Sequence, residues 1–175
     1  KRNLGLFATV HSLLNIERPD YEYYGGSYLH KLYERDLQFY GLNCYYENGR
    51  SWEFCDVSLF RNLHTLDITG MIVNDVSSLG GLHTLICKDT LVTDVSMLGN
   101  VHTLNISRTD VTDVSALVNV HTLNISRTKV SDVNMLERVH KLNASETDIT
   151  DVSKLENVYN LNISSTQVTD VSMLG

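Results

Sequence analysis

The chain has a single proline, Pro19, and no run of about 18 apolar residues of the kind that spans a bilayer. Positive charge is in deficit: 14 Lys and Arg against 21 Asp and Glu leave a formal net charge of -7. An acidic balance without a basic stripe argues against nucleic acid, whose phosphates call for a cationic face. Cysteines are few and odd in number, Cys44, Cys55 and Cys87, with no metal-ligand spacing between them. Aromatics are scarce beyond the first quarter, because eight of the nine tyrosines fall within residues 21–46. Missing too are a phosphate-cradling glycine loop and any non-repeating cluster of Ser, His and Asp or of paired carboxylates. Without such a cluster the usual grounds for an enzyme are absent, and no metal or cofactor is expected.

What is present is repetition. From Leu63 onward the chain repeats a 19-residue unit six times, its clearest copy running Val101-His-Thr-Leu-Asn-Ile-Ser-Arg-Thr-Asp-Val-Thr-Asp-Val-Ser-Ala-Leu-Val-Asn119. A unit this small cannot bury its own apolar face and must stack on its neighbours, so the period predicts a solenoid. Counting Val101 as position 1, positions 1, 4 and 6 are apolar: Leu104 and Ile106 alternate with polar residues at 3, 5 and 7. That is the period-2 pattern of a half-buried strand. Stacked in parallel, one strand per turn, the strands would lie roughly 4.8 Å apart. Val111, Val114 and Leu117, apolar at intervals of three, suit an irregular or 3-10 arc rather than a helix. Cys87 replaces the isoleucine of position 6, which marks it as a small buried residue.

Stacking turns each position into a column. His64, His83, His102, His121 and His140 occupy position 2, where Tyr159 closes the series. No carboxylate or thiolate accompanies them at a fixed place, so the expectation is a structural ladder of stacked rings, hydrogen-bonded along the column, and not a metal site. Crowded imidazoles resist protonation, which predicts lowered pKa values and stability lost below about pH 6. Asp75, Asp94, Asp113, Asp132, Asp151 and Asp170 form a second column at position 13. Set in Thr-Asp-Val-Ser, a short carboxylate can accept backbone N–H groups at the start of the convex turn, which fits better than calcium binding.

These residues carry a family resemblance. Val101-x-x-Leu104-x-Ile106-x-x-Thr109 is similar to the consensus segment of leucine-rich repeats, and the tail Val-Thr-Asp-Val-Ser-x-Leu resembles the internalin-like class. The likeness covers residues 56–175, with a unit shorter than usual for the family. It implies an α/β solenoid with one parallel concave β-sheet and short convex arcs. It also implies that Thr90, Thr109, Thr128, Thr147 and Thr166 stand in for the family's inward Asn ladder, and that the concave face binds a protein partner. On that face the pattern places Thr103, Asn105, Ser107 and Arg108, then Thr122, Asn124, Ser126 and Arg127, then Lys141, Asn143, Ser145 and Glu146. Arg108 and Arg127 should be neighbours, flanked by Asp89 and Glu146. The near-identical His-Thr-Leu-Asn-Ile-Ser units further resemble repeats of amoeba-infecting large DNA viruses such as marseilleviruses, which implies the host cytoplasm or the virion. Four sequons, at Asn105, Asn124, Asn143 and Asn162, agree with an intracellular location, since glycans on all of them would crowd one face.

Residues 1–51 differ in chemistry and read as a Tyr-rich helical cap ahead of a solenoid over 52–175. Apolar spacing predicts amphipathic helices over 4–14 and 28–37, separated by Pro19 and Gly25-Gly26. Asp56-Val57-Ser58-Leu59-Phe60 matches the convex half of a repeat, so 52–62 should cover the first strand. The stretch 28–37, followed by Ser51-Trp52-Glu53, resembles the segment that trails F-box motifs, although the opening Leu-Pro of that motif is missing. That resemblance implies a substrate adaptor of a cullin-type ubiquitin ligase, an alternative to the plain interaction module. The chain opens on Lys1 and stops at Gly175, where a seventh repeat would begin. No polar C-terminal cap follows the last strand, which leads to a third expectation, a structural protein that self-associates through that edge.

Overall fold

The computed structural model describes the backbone of residues 8–9, 44–47, 51–55 and 57–174, with side chains from residue 57 on, Leu59 apart. Among the described residues there are nine strands, β1 (Ala8–Thr9), β2 (Cys44–Glu47), β3 (Ser51–Cys55), β4 (Thr65–Asp67), β5 (Thr84–Ile86), β6 (Thr103–Asn105), β7 (Thr122–Asn124), β8 (Lys141–Asn143) and β9 (Asn160–Asn162). Strands β4 to β9 stack in chain order, all parallel, and each residue pairs with its counterpart 19 residues on: Thr103 with Thr122, Leu104 with Leu123. The repeat length is therefore the register. Slipping it by one residue would turn every core leucine outward.

The second to fifth turns bury positions 1, 4, 6, 11, 14 and 17. In the third turn these are Val101, Leu104, Ile106, Val111, Val114 and Leu117, none more than 2% exposed. The strand and the residues flanking it supply three of the six, and the arc supplies the rest. The arc closes through a bond from the N–H of position 17 to the carbonyl of position 14, as in Leu98 to Val95 at 2.9 Å and Leu117 to Val114 at 2.9 Å. Short 3-10 turns form there at Ser77–Leu79 and Ser115–Leu117. Val57 and Phe60, both buried, repeat this bond ahead of the first full unit, so residues 57–60 are the convex half of a partial turn. In the last turn Leu161, Ile163, Val168 and Leu174 are only half-buried, because a single neighbouring turn covers them.

The front end departs from the sequence reading. Ala8–Thr9, inside the expected helix at 4–14, is extended and pairs in parallel with β4, Ala8 opposite Leu66. The free N–H and C=O groups along β4 are satisfied by a strand, which a helix at the same place could not do. β2 and β3 form an antiparallel hairpin, so the part of 52–62 expected to cap the first strand begins as β-structure. The remainder of 4–14 and the expected helix at 28–37 lie outside the described residues. Among the described residues no helix is long and apolar enough to cross a membrane.

Candidate functional site

The open face of the sheet is built by three turn devices repeated in register. The first is at position 5, where Asn105 Oδ1 accepts the N–H of Ser107 at 3.0 Å and Asn124 Oδ1 that of Ser126 at 3.0 Å. Asn143 and Asn162 do the same with Ser145 and Ser164, and Asp67 with Thr69. This Asx-turn ends five of the six stacked strands after three residues, while β5 carries Ile86 at that position and has none. It consumes the amide oxygen and leaves the NH2 group of Asn105 and Asn124 with no protein partner and in reach of solvent.

The second device is at position 8, where the backbone is left-handed in every unit: Gly70 at φ 71°, Asp89 at 55°, Arg108 at 56°, Arg127 at 58°, Glu146 at 55° and Ser165 at 58°. Sequence reasoning missed this column. Its one signal was Gly70, since glycine is the residue that adopts positive φ without a Cβ penalty. At two units the turn folds position 7 under: Ser107 is 4% exposed and Ser145 9%, so the expectation that these two face a partner is corrected, while Ser126 stays half-buried. Strand alternation does not carry past Asn105, where the strand ends. The third device is the buried threonine of position 9, whose hydroxyl donates to the carbonyl of position 6 in its own turn. Thr109 to Ile106 at 2.7 Å and Thr128 to Ile125 at 2.6 Å are typical, with Thr90, Thr147 and Thr166 alike. These bonds run within turns and do not link one turn to the next.

Charge collects along the left-handed column. Arg127 donates through Nε to Glu146 Oε1 at 2.8 Å, and its Nη2 lies 2.8 Å from the same oxygen as an ion pair. Arg108 is held more loosely, 3.8 Å from Asp89, which also faces Lys88 at 3.7 Å. The two arginines occupy successive turns between the two acids, and both are exposed. Thr103 and Thr122 are half-buried beside them, and Lys141 is exposed. Behind the strip, Lys129 donates to Asp110 at 2.7 Å, and this hydrogen bond raises the lysine's pKa.

The position-2 rings form a continuous stack. Centroid separations run 4.5, 4.5, 4.7 and 4.8 Å from His64 to His140, and Tyr159 adds a sixth ring at 5.0 Å. Their hydrogen bonds do not follow the column as expected. Nδ1 of His64, His83, His102 and His121 instead meets the hydroxyl of the threonine one residue on, at 3.2–3.3 Å. Parallel rings direct their lone pairs side by side, whereas a metal needs them to converge about 2 Å away. Among the described residues no group of three His, Cys, Asp or Glu side chains comes together for a metal. Desolvation in the stack, then the charges of His102 and His64, lower the pKa of His83. The unfolded chain therefore takes up the proton first, and stability falls as pH drops below the ordinary histidine value of about 6.5. We expect Tm to decline steadily between pH 7.5 and 5, followed by circular dichroism; a flat profile would contradict the stack's role.

On the opposite side of the turn each position-13 aspartate accepts a backbone N–H two residues on, as Asp113 does from Ser115 at 2.8 Å. Asp75, Asp94, Asp132, Asp151 and Asp170 repeat the bond. The backbone and hydroxyl of Ser96, Ser115, Ser153 and Ser172 hold the carboxyls of Asp94, Asp113, Asp151 and Asp170 below the usual range. Asp75 is lowered likewise, first by the hydroxyl of Ser77 and then by its N–H. Cys87 is fully buried, and burial, with the charge of Asp67 second, pushes its thiol up to about 12. Exposed apolar side chains, which the repeat pattern did not flag, are Leu91 at position 10 and Met97, Met135 and Met173 at position 16.

Among solved structures the chain is similar to an internalin from Listeria monocytogenes, with 22% identity and a TM-score of 0.59 over 67% of this chain and 40% of that one. A second internalin of the same organism gives 26% identity and a TM-score of 0.59, covering 69% and 61%. A leucine-rich-repeat protein of Leptospira interrogans gives 18% and 0.53, covering 65% and 34%. The chain thus spans between about a third and three fifths of the length of these proteins. No protein-family model matches it, and no curated protein does. The architecture is a leucine-rich-repeat solenoid, a scaffold commonly used for protein interaction.

Proposed function

We infer that the chain is a non-enzymatic interaction module that binds a protein through the face of its parallel sheet, at the strip Thr103, Asn105, Arg108, Thr122, Asn124, Ser126, Arg127, Lys141, Asn143 and Glu146. The observation that carries this reading is the unequal pairing of the two central arginines. Arg127 is tied to Glu146 at 2.8 Å, whereas Arg108 lies 3.8 Å from Asp89 and can turn to a new acceptor at little loss. Beside it, the unpaired NH2 groups of Asn105 and Asn124 add donors with no acceptor of their own. A donor-rich strip of this kind suits an acidic group on the partner, which a planar guanidinium engages through two hydrogen bonds at once.

The viral resemblance of the repeat points to the cytoplasm of an infected cell as the place of binding. The spacing of the sequons agrees, because Asn105, Asn124, Asn143 and Asn162 lie on successive strands. At roughly 4.8 Å between strands, glycans on neighbouring asparagines would collide. The test is affinity capture from a cytosolic extract, followed by titration of the recovered partner against variants. Arg108→Glu with Arg127→Glu is expected to weaken binding at least about 100-fold, or ~2.7 kcal/mol. Arg108→Gly, which removes the charge but suits the left-handed backbone, controls for folding and should weaken it about tenfold. Unchanged affinity in the double variant overturns the assignment of this face.

A further inference from the structure

The imidazole column stands apart from the concave strip and is not used by it. Four of its five histidines are exposed and His140 is half-buried. Where Nδ1 is engaged by a threonine hydroxyl, Nε2 has no protein partner. Ion pairs among the described residues join Lys88 and Arg108 to Asp89, Arg127 to Glu146 and Lys129 to Asp110, and none includes an imidazole. The charged residues next to the column along its turns are Arg61, Glu137, Arg138, Lys141 and Glu156. On the sheet side they are Asp67, Lys88, Asp89, Arg108, Arg127 and Glu146. The column is thus a row of titratable rings with no carboxylate paired to it.

Its spacing sets how charges on it would interact. Adjacent imidazolium ions 4.5–4.8 Å apart repel strongly. Ions two turns apart are separated by roughly 9.5 Å, about one Debye length at physiological salt, and interact weakly. Alternate rings, His64, His102 and His140, are therefore the three that can carry charge together with the least mutual repulsion. The resulting triplet has a fixed spacing to which a ligand can be matched. A β-strand places same-side residues about 6.7 Å apart, which misses it. An α-helix, at about 6 Å for four residues, misses it as well. A polyproline-II segment has three residues per turn and rises about 3.1 Å per residue, so every third side chain recurs at ~9.3 Å.

We propose that below about pH 6 the imidazole column binds an acidic polyproline-II peptide with Glu or Asp at every third residue, one carboxylate on each of His64, His102 and His140. The peptide lies along the stacking axis, across the strand entrances. Each carboxylate accepts from an Nε2–H and offsets the charge that loads that ring, so proton and peptide bind together. The column thereby gives the solenoid a second docking edge, open only in acid.

The experiment is fluorescence anisotropy of the full chain with a labelled (Glu-Pro-Pro)4 peptide at pH 5.5 and 7.5, at one ionic strength. Binding at least tenfold tighter at pH 5.5 is expected. A peptide of identical composition with its four glutamates in one block should bind at least fivefold more weakly than the spaced one. Exchanging His64, His102 and His140 for Gln should remove the pH gain, while His83→Gln with His121→Gln, which spares the charged rings, should keep it. Arg108→Glu, which disables the concave strip, should also leave the gain intact and so separates this inference from the binding function proposed above. Equal affinity at the two pH values overturns the proposal, and so does equal affinity for the block peptide.

Discussion

Replacing Leu104 by Ala lowers the stability of the solenoid by about 3 kcal/mol, whereas Leu161→Ala lowers it by only about 1 kcal/mol. The two leucines hold the same position of the repeat, so chemistry and backbone are matched. Leu104 is 1% exposed and enclosed by turns on both sides, with Leu85 and Leu123 directly opposite it in the sheet. Those neighbours are fixed by the same register and cannot collapse into the space left behind. Leu161 is half-buried with a turn on one side only, so its truncation exposes less core and leaves a cavity open to water. The central change also weakens the contact between the two halves of a stack held by nearest-neighbour terms. Urea denaturation of Leu104→Ala should therefore show a broader transition as well as a lower midpoint. Equal losses for the two variants would mean that the turns are not coupled as stacked units.

Gly80→Ala destabilises the chain by about 2 kcal/mol although its backbone is unstrained. Gly80 has φ -62°, a conformation every residue adopts, and on that ground alone alanine would stabilise by roughly 0.4–1 kcal/mol through the unfolded state. A methyl group at Gly80, however, would meet the backbone carbonyl oxygen of Met97 in the next turn at 2.1 Å. A carbonyl in a packed arc cannot move aside as a flexible side chain can. Gly99 faces Ala116 O in the same way, at 2.4 Å, and the same sign is expected there. Gly81, whose nearest atom is Arg61 O at 3.9 Å, is the control, and Gly81→Ala should be neutral or slightly stabilising. The equivalent position of later turns carries Val118, Glu137 and Glu156, so the approach that leaves no room for a Cβ is found at Gly80 and Gly99 and not at those side chains. Thermal melts of the three alanine variants decide the matter, and a stabilised Gly80→Ala would disprove the close approach.

The solenoid was legible because its burial pattern is written six times. Leu104 and Ile106 alternate with polar neighbours in a way that a single copy could share by chance, but a period of 19 residues makes the same pattern the register of a sheet. Position 8 was not legible, since it carries Gly70, Asp89, Arg108, Arg127, Glu146 and Ser165 and so has no residue type to announce a left-handed turn. Ser107 was misplaced for a related reason: alternation held only while the strand lasted, and the Asx-turn at Asn105 ends it two residues earlier. The histidine stack was foreseen from its column, but its hydrogen bonds were not. A threonine hydroxyl one residue away is a nearer partner than the next ring, which lies face to face and offers no edge. At the front, apolar spacing over 4–14 read as a helix, while the unpaired edge of β4 recruits Ala8–Thr9 as a strand. Local periodicity gives way there to a long-range demand for backbone partners.

The left-handed column also bears on how such a chain changes over generations. A non-glycine residue in that conformation costs roughly 1–2 kcal/mol whichever side chain it bears. Acid, base and hydroxyl have replaced one another at position 8 from turn to turn while φ stays within 55–58°. Mutation at this column therefore redraws the charge of that margin of the sheet one turn at a time, with the core and register untouched. A lineage carrying this solenoid can recharge that margin without refolding the chain, and duplication of a whole unit adds both a further strand and a further position to vary.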